Sequence, residues 1–534
     1  MTGLALLLLT AAIGHGLARW WRLPVIPVLL GLGMALSFSG LIEYSTGTDG
    51  SAHDPLVTAV ELGLTFLVFA SGIELNPHRF RRHQRSVLWI GAVQFLMAGA
   101  LGFAVALGLG FDRLVAFYLG LAVSASSTLV GLRQLRMTRQ AFEPFGRTVL
   151  GVLLLQDALM IVMIVVLSRS LEGPGAMAMA LAATAGLAVA AFLMQRYLAR
   201  PLVLRFKLDE ETLLIGALAL LFVFVGVAHQ LGLPLIVGAF FAGFGLSRFP
   251  ADGVLRGQLS SLSDFFLAIF FTALGALVLL PDATTLVQAF VLALLVVVIT
   301  PPLVTIVAEW TGFSSRAAIE SGLLLAQTSE YSLVLGLTGL ALGHLTAEVF
   351  SLIALMAVLT MTLTPFVATD RVTRWLLPLH PLRHRIDTTG APRGHVLILG
   401  FGSAGMWVVK PLRAEGYDLL VVDDDPVVID QLQRAKIPCL RGDGSDEKTL
   451  AQAGAREARL IIASMRRVGD VEKVLRCVAG VPVVARVFEA EDADHIRRLG
   501  GIPVLNSEAA ADAFMEWFRS RIAGRSEGAT TAAV

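Results

Sequence analysis

A single aspartate, Asp157, lies beside the amide Gln156 in an otherwise apolar stretch, residues 149–167. An ionised side chain near the centre of a bilayer costs about 2.5–3.5 kcal/mol even on lenient insertion scales, so such a residue marks a functional site by default. At about 1.5 Å per helical residue, counted from Arg147, Asp157 lies roughly 15 Å deep in a hydrocarbon core about 30 Å thick. Secondary transporters bind their coupling ions at this depth. The sequence therefore predicts an ion-handling role for Asp157.

A second motif, GFGSAG, occupies residues 400–405, between an apolar strand pattern and a helical pattern. Its glycines permit a tight turn and a close approach of phosphate to the backbone, and the helix N-terminus favours the anion. Asp423 ends the next strand pattern, 23 residues after Gly400, where an acid can bind a ribose hydroxyl. We expect an adenosine-type nucleotide, AMP or NAD(H), at Gly400, Gly402, Ser403, Ala404, Gly405 and Asp423. The alternative is that the glycines serve only helix–strand packing.

The composition indicates the class of protein that contains these residues. The chain has 534 residues, of which 56% are hydrophobic and 16% charged, and its mean hydropathy is +0.74. Soluble domains have about 25% charged residues, so this is a polytopic helical membrane protein. The formal net charge of +1 gives no sign of a nucleic-acid partner, and the two cysteines, Cys439 and Cys477, imply no disulfide framework.

Thirteen apolar segments are long enough, or nearly long enough, to span a bilayer. They cover residues 1–18, 24–41, 56–73, 86–110, 114–132, 148–168, 175–195, 212–230, 233–247, 260–280, 285–308, 317–342 and 345–369. The segment at 233–247 is short, which leaves twelve spans open. Thr300-Pro301-Pro302 is expected to interrupt the helix of segment 285–308.

Basic residues in the loops predict the orientation. If the C-terminus is inside, nineteen arginines and lysines flank the inner ends of the thirteen segments, and only Arg113 and Arg169 flank the outer ends. This asymmetry favours thirteen spans with the N-terminus outside and the C-terminal region in the cytoplasm. We expect a multi-pass protein of the bacterial inner membrane.

The residue composition of the sequence changes after Arg374. A stretch rich in proline and basic residues leads to six strand patterns that alternate with helical patterns from His395 onward, which predicts a parallel, doubly wound α/β domain. The predicted organisation is a membrane domain at 1–370, a cytoplasmic linker at 371–394, a Rossmann-type domain at 395–522 and a disordered tail at 523–534.

Four motifs stand out in the C-terminal region: HVLILGFGSAGMWV, VVDDDP, LRGDGSDEKTL and VVARVFEAEDADHIRRLG. In these motifs the region resembles the N-terminal lobe of the RCK (TrkA-N) family. The membrane region contains SASSTLVGL, LLLQDALMIVMIVVL, GAFFAGFGLS, FFTALGALV and GLLLAQTSEYSLVL. In these it resembles the Kef-type potassium:proton antiporters of the monovalent cation:proton antiporter family 2.

The Kef resemblance implies an antiporter fold with inverted repeats and discontinuous crossing helices. It implies that Asp157 is occupied alternately by a proton and a monovalent cation, with Gln156 as its neutral partner. Ser127 and Thr128 would lie at the break of one discontinuous helix, and Gln327 and Glu330 near the break of the other. Hydroxyls and freed carbonyls at broken helices are hard oxygen ligands for an alkali cation. The alternative is that these hydroxyls join tightly packed helices.

For the C-terminal domain, the RCK resemblance implies that Asp443 lies on the adenosine side of a regulatory nucleotide. The family also implies a homodimer, and some relatives are gated by a small ancillary protein or by a thiol metabolite. Potassium and sodium both remain open as the cation. An RCK-gated cation channel is the alternative function, but its carbonyl filter sequence does not occur here. A membrane-bound NAD-dependent oxidoreductase is the third possibility, since it would share GFGSAG.

Overall fold

A computed structural model of the chain divides into two compact units, residues 1–311 with 317–379 and residues 312–316 with 380–534. Most of the predicted linker, three residues of the glycine loop (Gly402, Ser403 and Ala404) and the predicted tail lie outside the residues that the structure describes. The described residues are 2–21, 23–38, 55–74, 84–138, 140, 144–198, 210–247, 253–279, 281–377, 393–401, 405–465, 467–478, 480–505 and three residue pairs up to 516.

The apolar segments of the sequence form helices, because backbone groups within a bilayer must be hydrogen-bonded inside their own segment. The helices are α1 (Thr2–Trp21), α2 (Val25–Phe38), α3 (Pro55–Glu74), α4 (Gln84–Gly108), α5 (Arg113–Ser124), α6 (Thr128–Met137), α7 (Pro144–Ser168), α8 (Pro174–Leu193), α9 (Glu210–Gln230), α10 (Leu235–Leu246), α11 (Gly253–Ala276), α12 (Ala283–Trp310), α13 (Ser315–Leu324), α14 (Glu330–Ala341), α15 (Ala347–Val367) and α16 (Asp370–Leu376). In the described part of the chain, seven helical stretches are long and apolar enough to cross a membrane. The number of thirteen spans therefore stays a prediction.

Two of the predicted segments are interrupted near their middle. The first breaks between α5 and α6, where Ser127 caps α6 by accepting a hydrogen bond from the Val130 amide at 3.2 Å. The second breaks between α13 and α14, where Ser329 caps α14 through the Tyr331 amide at 3.1 Å. Serine hydroxyls satisfy the first free N–H groups of a helix, so these sequences favour a new helix start inside the protein.

The proline pair of α12 corrects one expectation. The helix runs without a break from Ala283 to Trp310 and contains both Pro301 and Pro302. Membrane helices retain proline where neighbouring side chains and helices satisfy the freed backbone groups.

The helices of the first unit pack mainly within two bundles. The first bundle contains α1, α2, α3, α9, α10 and α11, and the second contains α4 to α7, α12, α14 and α15. The helix α13 joins the second bundle at Gly322, where an added Cβ would overlap the Pro301 carbonyl of α12. The helix α8 packs against α10 and α7, one from each bundle. Asp157 belongs to the second bundle.

Two glycine pairs hold the first bundle together. A Cβ on Gly72 of α3 would overlap the Phe240 carbonyl of α10, and one on Gly243 would overlap the Phe69 carbonyl of α3. Gly33 of α2 and Gly275 of α11 make the same reciprocal contact. Close approach of backbones through small residues is how membrane helices gain packing energy.

The second unit contains a parallel sheet of six strands in the order β3-β2-β1-β4-β5-β6, which confirms the predicted doubly wound α/β architecture. The strands are β1 (Val396–Leu399), β2 (Leu419–Asp423), β3 (Cys439–Arg441), β4 (Leu460–Ala463), β5 (Val483–Val487) and β6 (Ile502–Leu505), and the helices between them are α17 (Gly405–Ala414), α18 (Pro426–Arg434), α19 (Glu447–Gln452), α20 (Val468–Cys477) and α21 (Ala490–Arg498). In register, Val396 lies between Leu419 and Leu460. All four residues of β1 are buried, as expected for a central strand covered on both faces.

Candidate functional site

The Asp157 carboxylate is fully buried on α7 and accepts two hydrogen bonds on one oxygen. Thr128, the first residue of α6, donates to Oδ2 at 2.8 Å, and Ser71 of α3 donates to the same atom at 2.9 Å. The other oxygen, Oδ1, has no hydrogen-bond partner. A buried carboxylate with an unpaired oxygen is costly unless a cation or a proton compensates it.

Gln156 faces the helix break instead of the Asp157 oxygens. Its Oε1 accepts a hydrogen bond from the Ser126 amide at 3.0 Å. The Ser126 hydroxyl donates to the Leu325 carbonyl at 2.7 Å and accepts from Gln94 Nε2 at 2.9 Å. Through Ser126, the two interruptions are thus joined to each other and to α4.

The second interruption supplies the remaining predicted residues. Gln327 donates from Nε2 to the Leu324 carbonyl at 3.2 Å and to the Ser127 carbonyl at 3.4 Å. Glu330, the first residue of α14, lies beside the Ser127 hydroxyl and the first backbone amides of α6. A carboxylate at a helix N-terminus is stabilised by the free N–H groups and by the helix dipole.

The structure therefore brings together all six predicted residues, Gln156, Asp157, Ser127, Thr128, Gln327 and Glu330, around the two interruptions. Oxygen atoms without a hydrogen-bond partner remain in this cluster: Gln94 Oε1, Asp157 Oδ1, Gln327 Oε1 and Glu330 Oε2. Buried acceptors are normally satisfied, so a group of unpaired ones points to a ligand that is itself electron-poor. Oxygens of this kind suit a hard alkali cation or a proton.

Two members of the cluster, Ser71 and Gln94, were not predicted from the sequence. Gln94 is an isolated amide within an apolar segment, which was an available signal, whereas Ser71 shares its segment with Glu61 and Thr65 and does not stand out. Ser124, in contrast, donates to the Leu121 carbonyl of its own helix at 2.7 Å. Within the described residues, no group of three or more His, Cys, Asp or Glu side chains could hold a metal ion.

The glycine loop begins as the sequence predicts. Gly400 follows β1 with a φ of 77°, a conformation that glycine adopts without a steric penalty. Gly405 begins α17, and the three residues before it lie outside the described chain. Asp423, at the end of β2, accepts from the Phe401 amide at 2.6 Å and from the Asp425 amide at 2.8 Å. Its oxygens thus hold the loop and the strand end together.

Asp443 follows β3 and lies in a charged cluster of the second unit. Its Oδ1 accepts from the amide and the hydroxyl of Ser445, both at 2.8 Å, and its Oδ2 lies 3.1 Å from Arg316 Nη1. The same guanidinium nitrogen lies 2.9 Å from Asp470. Burial alone would raise the pKa of Asp443, but Arg316 and the Ser445 hydrogen bonds outweigh it and hold the pKa below its usual value.

Interrupted helices that cross beside a buried carboxylate, followed by a Rossmann-type domain, define a class of secondary ion transporter with a nucleotide-type regulatory domain. The family model "Sodium/hydrogen exchanger, transmembrane" matches residues 5–369, and the TrkA-N domain model matches residues 396–507. The chain belongs to the sodium/hydrogen exchanger family and is a cation/proton antiporter of the Kef type. It is a transporter and not an enzyme, so the oxidoreductase and channel alternatives are wrong.

Two curated relatives are similar over most of their length. The chain is 29% identical over 498 residues to the glutathione-regulated potassium-efflux system protein KefC of Cronobacter sakazakii, covering 89% of this chain and 78% of the relative. It is 28% identical over 495 residues to the KefC of an Enterobacter species, with the same coverage. Among solved structures, the sodium proton antiporter MjNhaP1 of Methanocaldococcus jannaschii covers 70% of this chain and 97% of its own, at 17% identity and a TM-score of 0.54. This last likeness supports the fold.

Proposed function

We propose that this antiporter exchanges potassium for protons at Asp157, with sodium as the second candidate cation. The observation that carries the proposal is the buried Asp157 carboxylate, which keeps one unpaired oxygen between two interrupted helices. The curated relatives named as potassium-efflux proteins favour potassium.

The proposed mechanism is competition at one carboxylate. Asp157 releases its proton on one side of the membrane and then binds the cation with oxygens from Thr128, Ser127 and neighbouring carbonyls. After the second bundle moves against the first, the cation leaves and Asp157 is reprotonated from the other side. Because the proton and the cation need the same oxygens, they cannot cross together. Gln156 and Gln327 hold the crossing in place, and Glu330 is a second buried carboxylate of the same site.

The test uses the purified full chain in liposomes that contain a pH-sensitive dye. Addition of potassium should drive proton movement in the wild type, and Asp157→Asn should abolish it, because the amide keeps the shape but does not titrate. The matched control is Asp264→Asn, the same change on α11. Wild-type exchange by Asp157→Asn would contradict the proposal, and a parallel series with sodium decides between the two cations.

We further propose that the TrkA-N domain binds AMP or NAD(H) and that this ligand sets the transport rate. The loop 400–405 would receive the phosphates, Asp423 the ribose and Asp443 the adenosine side. Thermal-shift titrations with AMP, NAD+ and NADH test binding, with Asp423→Ala as the variant and the exposed Asp418→Ala as its control. Loss of binding should change the rate of exchange but not the cation carried, since a ligand shifts populations only through its differential affinity. Unchanged regulation after loss of binding would remove the nucleotide from the mechanism.

The topology and assembly complete the proposal. We place the protein in the inner membrane as a homodimer, with the domain at 395–522 in the cytoplasm after a membrane domain at 1–370 and a linker at 371–394. The arginine distribution in the loops supports this orientation. Protease accessibility of the C-terminal domain in inside-out vesicles tests the orientation, and light scattering of the purified protein tests the dimer.

A further inference from the structure

Ser71 is the polar side chain that reaches Asp157 from the other bundle. Asp157 and Thr128 both belong to the second bundle, whereas α3, which carries Ser71, packs against α10 and α11 of the first bundle. The 2.9 Å hydrogen bond from the Ser71 hydroxyl to Asp157 Oδ2 therefore crosses the boundary between the bundles.

The backbone at Ser71 is fixed to the first bundle. The next residue, Gly72, lies against α10, where an added Cβ would overlap the Phe240 carbonyl. A backbone packed in this way leaves no space for α3 to slide along α10. In the movement proposed for transport, Asp157 would travel with the second bundle, and Ser71 would stay with the first.

The Ser71 hydroxyl can act on a bound cation as well as on the carboxylate. A hydroxyl has one donor hydrogen and two acceptor lone pairs, and its hydrogen rotates to suit its neighbours. With the carboxylate unoccupied, the hydrogen points to Asp157 Oδ2. With a cation on the carboxylate, the same oxygen can present a lone pair to the cation.

We propose that Ser71 is a state-specific ligand, a hydroxyl that supports cation binding at Asp157 in one of the two transport states and loses contact in the other. This inference rests on the proposed function of Asp157 as the exchange carboxylate. Its consequence is asymmetry, because the cation gains one oxygen ligand on one side of the membrane only. The half-saturating cation concentration should then be lower on that side.

The test measures the half-saturating potassium concentration and the maximal rate on each face, using full-length protein inserted in a single orientation into liposomes. Ser71→Ala should raise the half-saturating concentration about 3- to 10-fold on one face, which is the range expected for the loss of one hydroxyl interaction. The other face and the maximal rate should change less than twofold. Ser71→Thr should restore the wild-type value, since it returns the hydroxyl.

Thr65→Val is the matched control. Thr65 is buried on the same helix, but its hydroxyl donates to the Glu61 carbonyl within α3 at 2.7 Å. An equal change on both faces, no change on either face, or the same effect in Thr65→Val would overturn the inference. Asp157→Asn is measured in parallel. If Asp157→Asn still exchanges potassium for protons, both the proposed function and the role of Ser71 are wrong. If Asp157→Asn is inactive and Ser71→Ala is unaffected, only the role of Ser71 is wrong.

Discussion

Gln94 on α4 donates from Nε2 to the Ser126 hydroxyl at 2.9 Å, and this hydrogen bond ties an uninterrupted helix to the break of its neighbour. The Ser126 hydroxyl passes the connection on to the Leu325 carbonyl in the other break. Polar side chains thus hold the crossing of the two interrupted helices, and apolar side chains could not make these hydrogen bonds.

A double-mutant cycle between these two residues should show coupling. Gln94→Ala and Ser126→Ala together should destabilise the protein less than the sum of the single changes, by about 0.5–1.5 kcal/mol, because they remove one shared hydrogen bond. Thermal unfolding in detergent gives the four values. The free-energy changes of Gln94→Ala and Thr184→Ala should add, since the Thr184 hydroxyl bonds the Ala180 carbonyl within α8. A coupling energy of similar size for this second pair would show that the first value does not report the Gln94–Ser126 hydrogen bond.

Thr128 should determine the affinity of the site for its cation. Thr128→Val keeps the branched shape and removes the hydroxyl that bonds Asp157, so the half-saturating cation concentration should rise about 10-fold, as for loss of a hydrogen bond to a charged group. Thr128→Ser should recover most of the affinity. Thr272→Val is the control, because the buried Thr272 hydroxyl bonds the Ala268 carbonyl of its own helix. An unchanged half-saturating concentration in Thr128→Val would remove Thr128 from the binding site.

Gly72→Ala should disrupt the first bundle. The added methyl group has no room against the α10 backbone, so the two helices must separate. The free energy of unfolding should fall by about 1–3 kcal/mol, the usual cost of overpacking. Gly31 of α2 has open space around the same position, and Gly31→Ala should be neutral or slightly stabilising because alanine is the better helix former. Equal stability of the two variants in a thermal unfolding assay would contradict the packing described for α3 and α10.

His395 should make the second unit sensitive to acid. Burial lowers the pKa of this imidazole below its ordinary value of 6.5, against the opposing effects of the Ala453 carbonyl and of Asp418 and Glu457. The folded state thus binds the proton more weakly than the unfolded chain. The neutral His395 therefore stabilises the second unit at neutral pH, and this stabilisation is lost as the pH falls below about 6.5.

Hydrogen exchange of the β1 peptide in the purified full chain, corrected for the intrinsic pH dependence, measures this loss. His395→Leu should flatten the pH dependence. His495→Leu, at a more exposed site on α21, should leave it as in the wild type. A steep acid-induced loss of protection that persists in His395→Leu would assign the sensitivity to another group.

Much of the fold follows from local patterns in the sequence. Apolar segments of helical length predicted the helices, and alternating strand and helix patterns predicted the sheet with Asp423 at a strand end. The resemblance to the Kef-type antiporters placed the interruptions at SASST and QTSE, where serine hydroxyls satisfy free helix ends.

The remaining features depend on tertiary packing. The sequence does not indicate which face of α3 meets Asp157, so Ser71 could not be assigned to the site. Gln156 is adjacent to Asp157, yet a helix turns about 100° per residue, and its amide therefore faces the break instead of the carboxylate. Pro301 and Pro302 looked like an interruption because the sequence alone cannot show whether neighbouring groups satisfy the freed carbonyls.

The interrupted helices also impose an order on biosynthesis. α5 and α6 are 12 and 10 residues long, so each half reaches only about 15–18 Å into a hydrocarbon core about 30 Å thick. The Ser126 hydroxyl at their break bonds Leu325, 199 residues later in the chain. At a translation rate of about 5–20 residues per second, roughly 10–40 s pass between the synthesis of Ser126 and that of Leu325. During that interval the Ser126 hydroxyl lacks the carbonyl that it bonds in the folded protein.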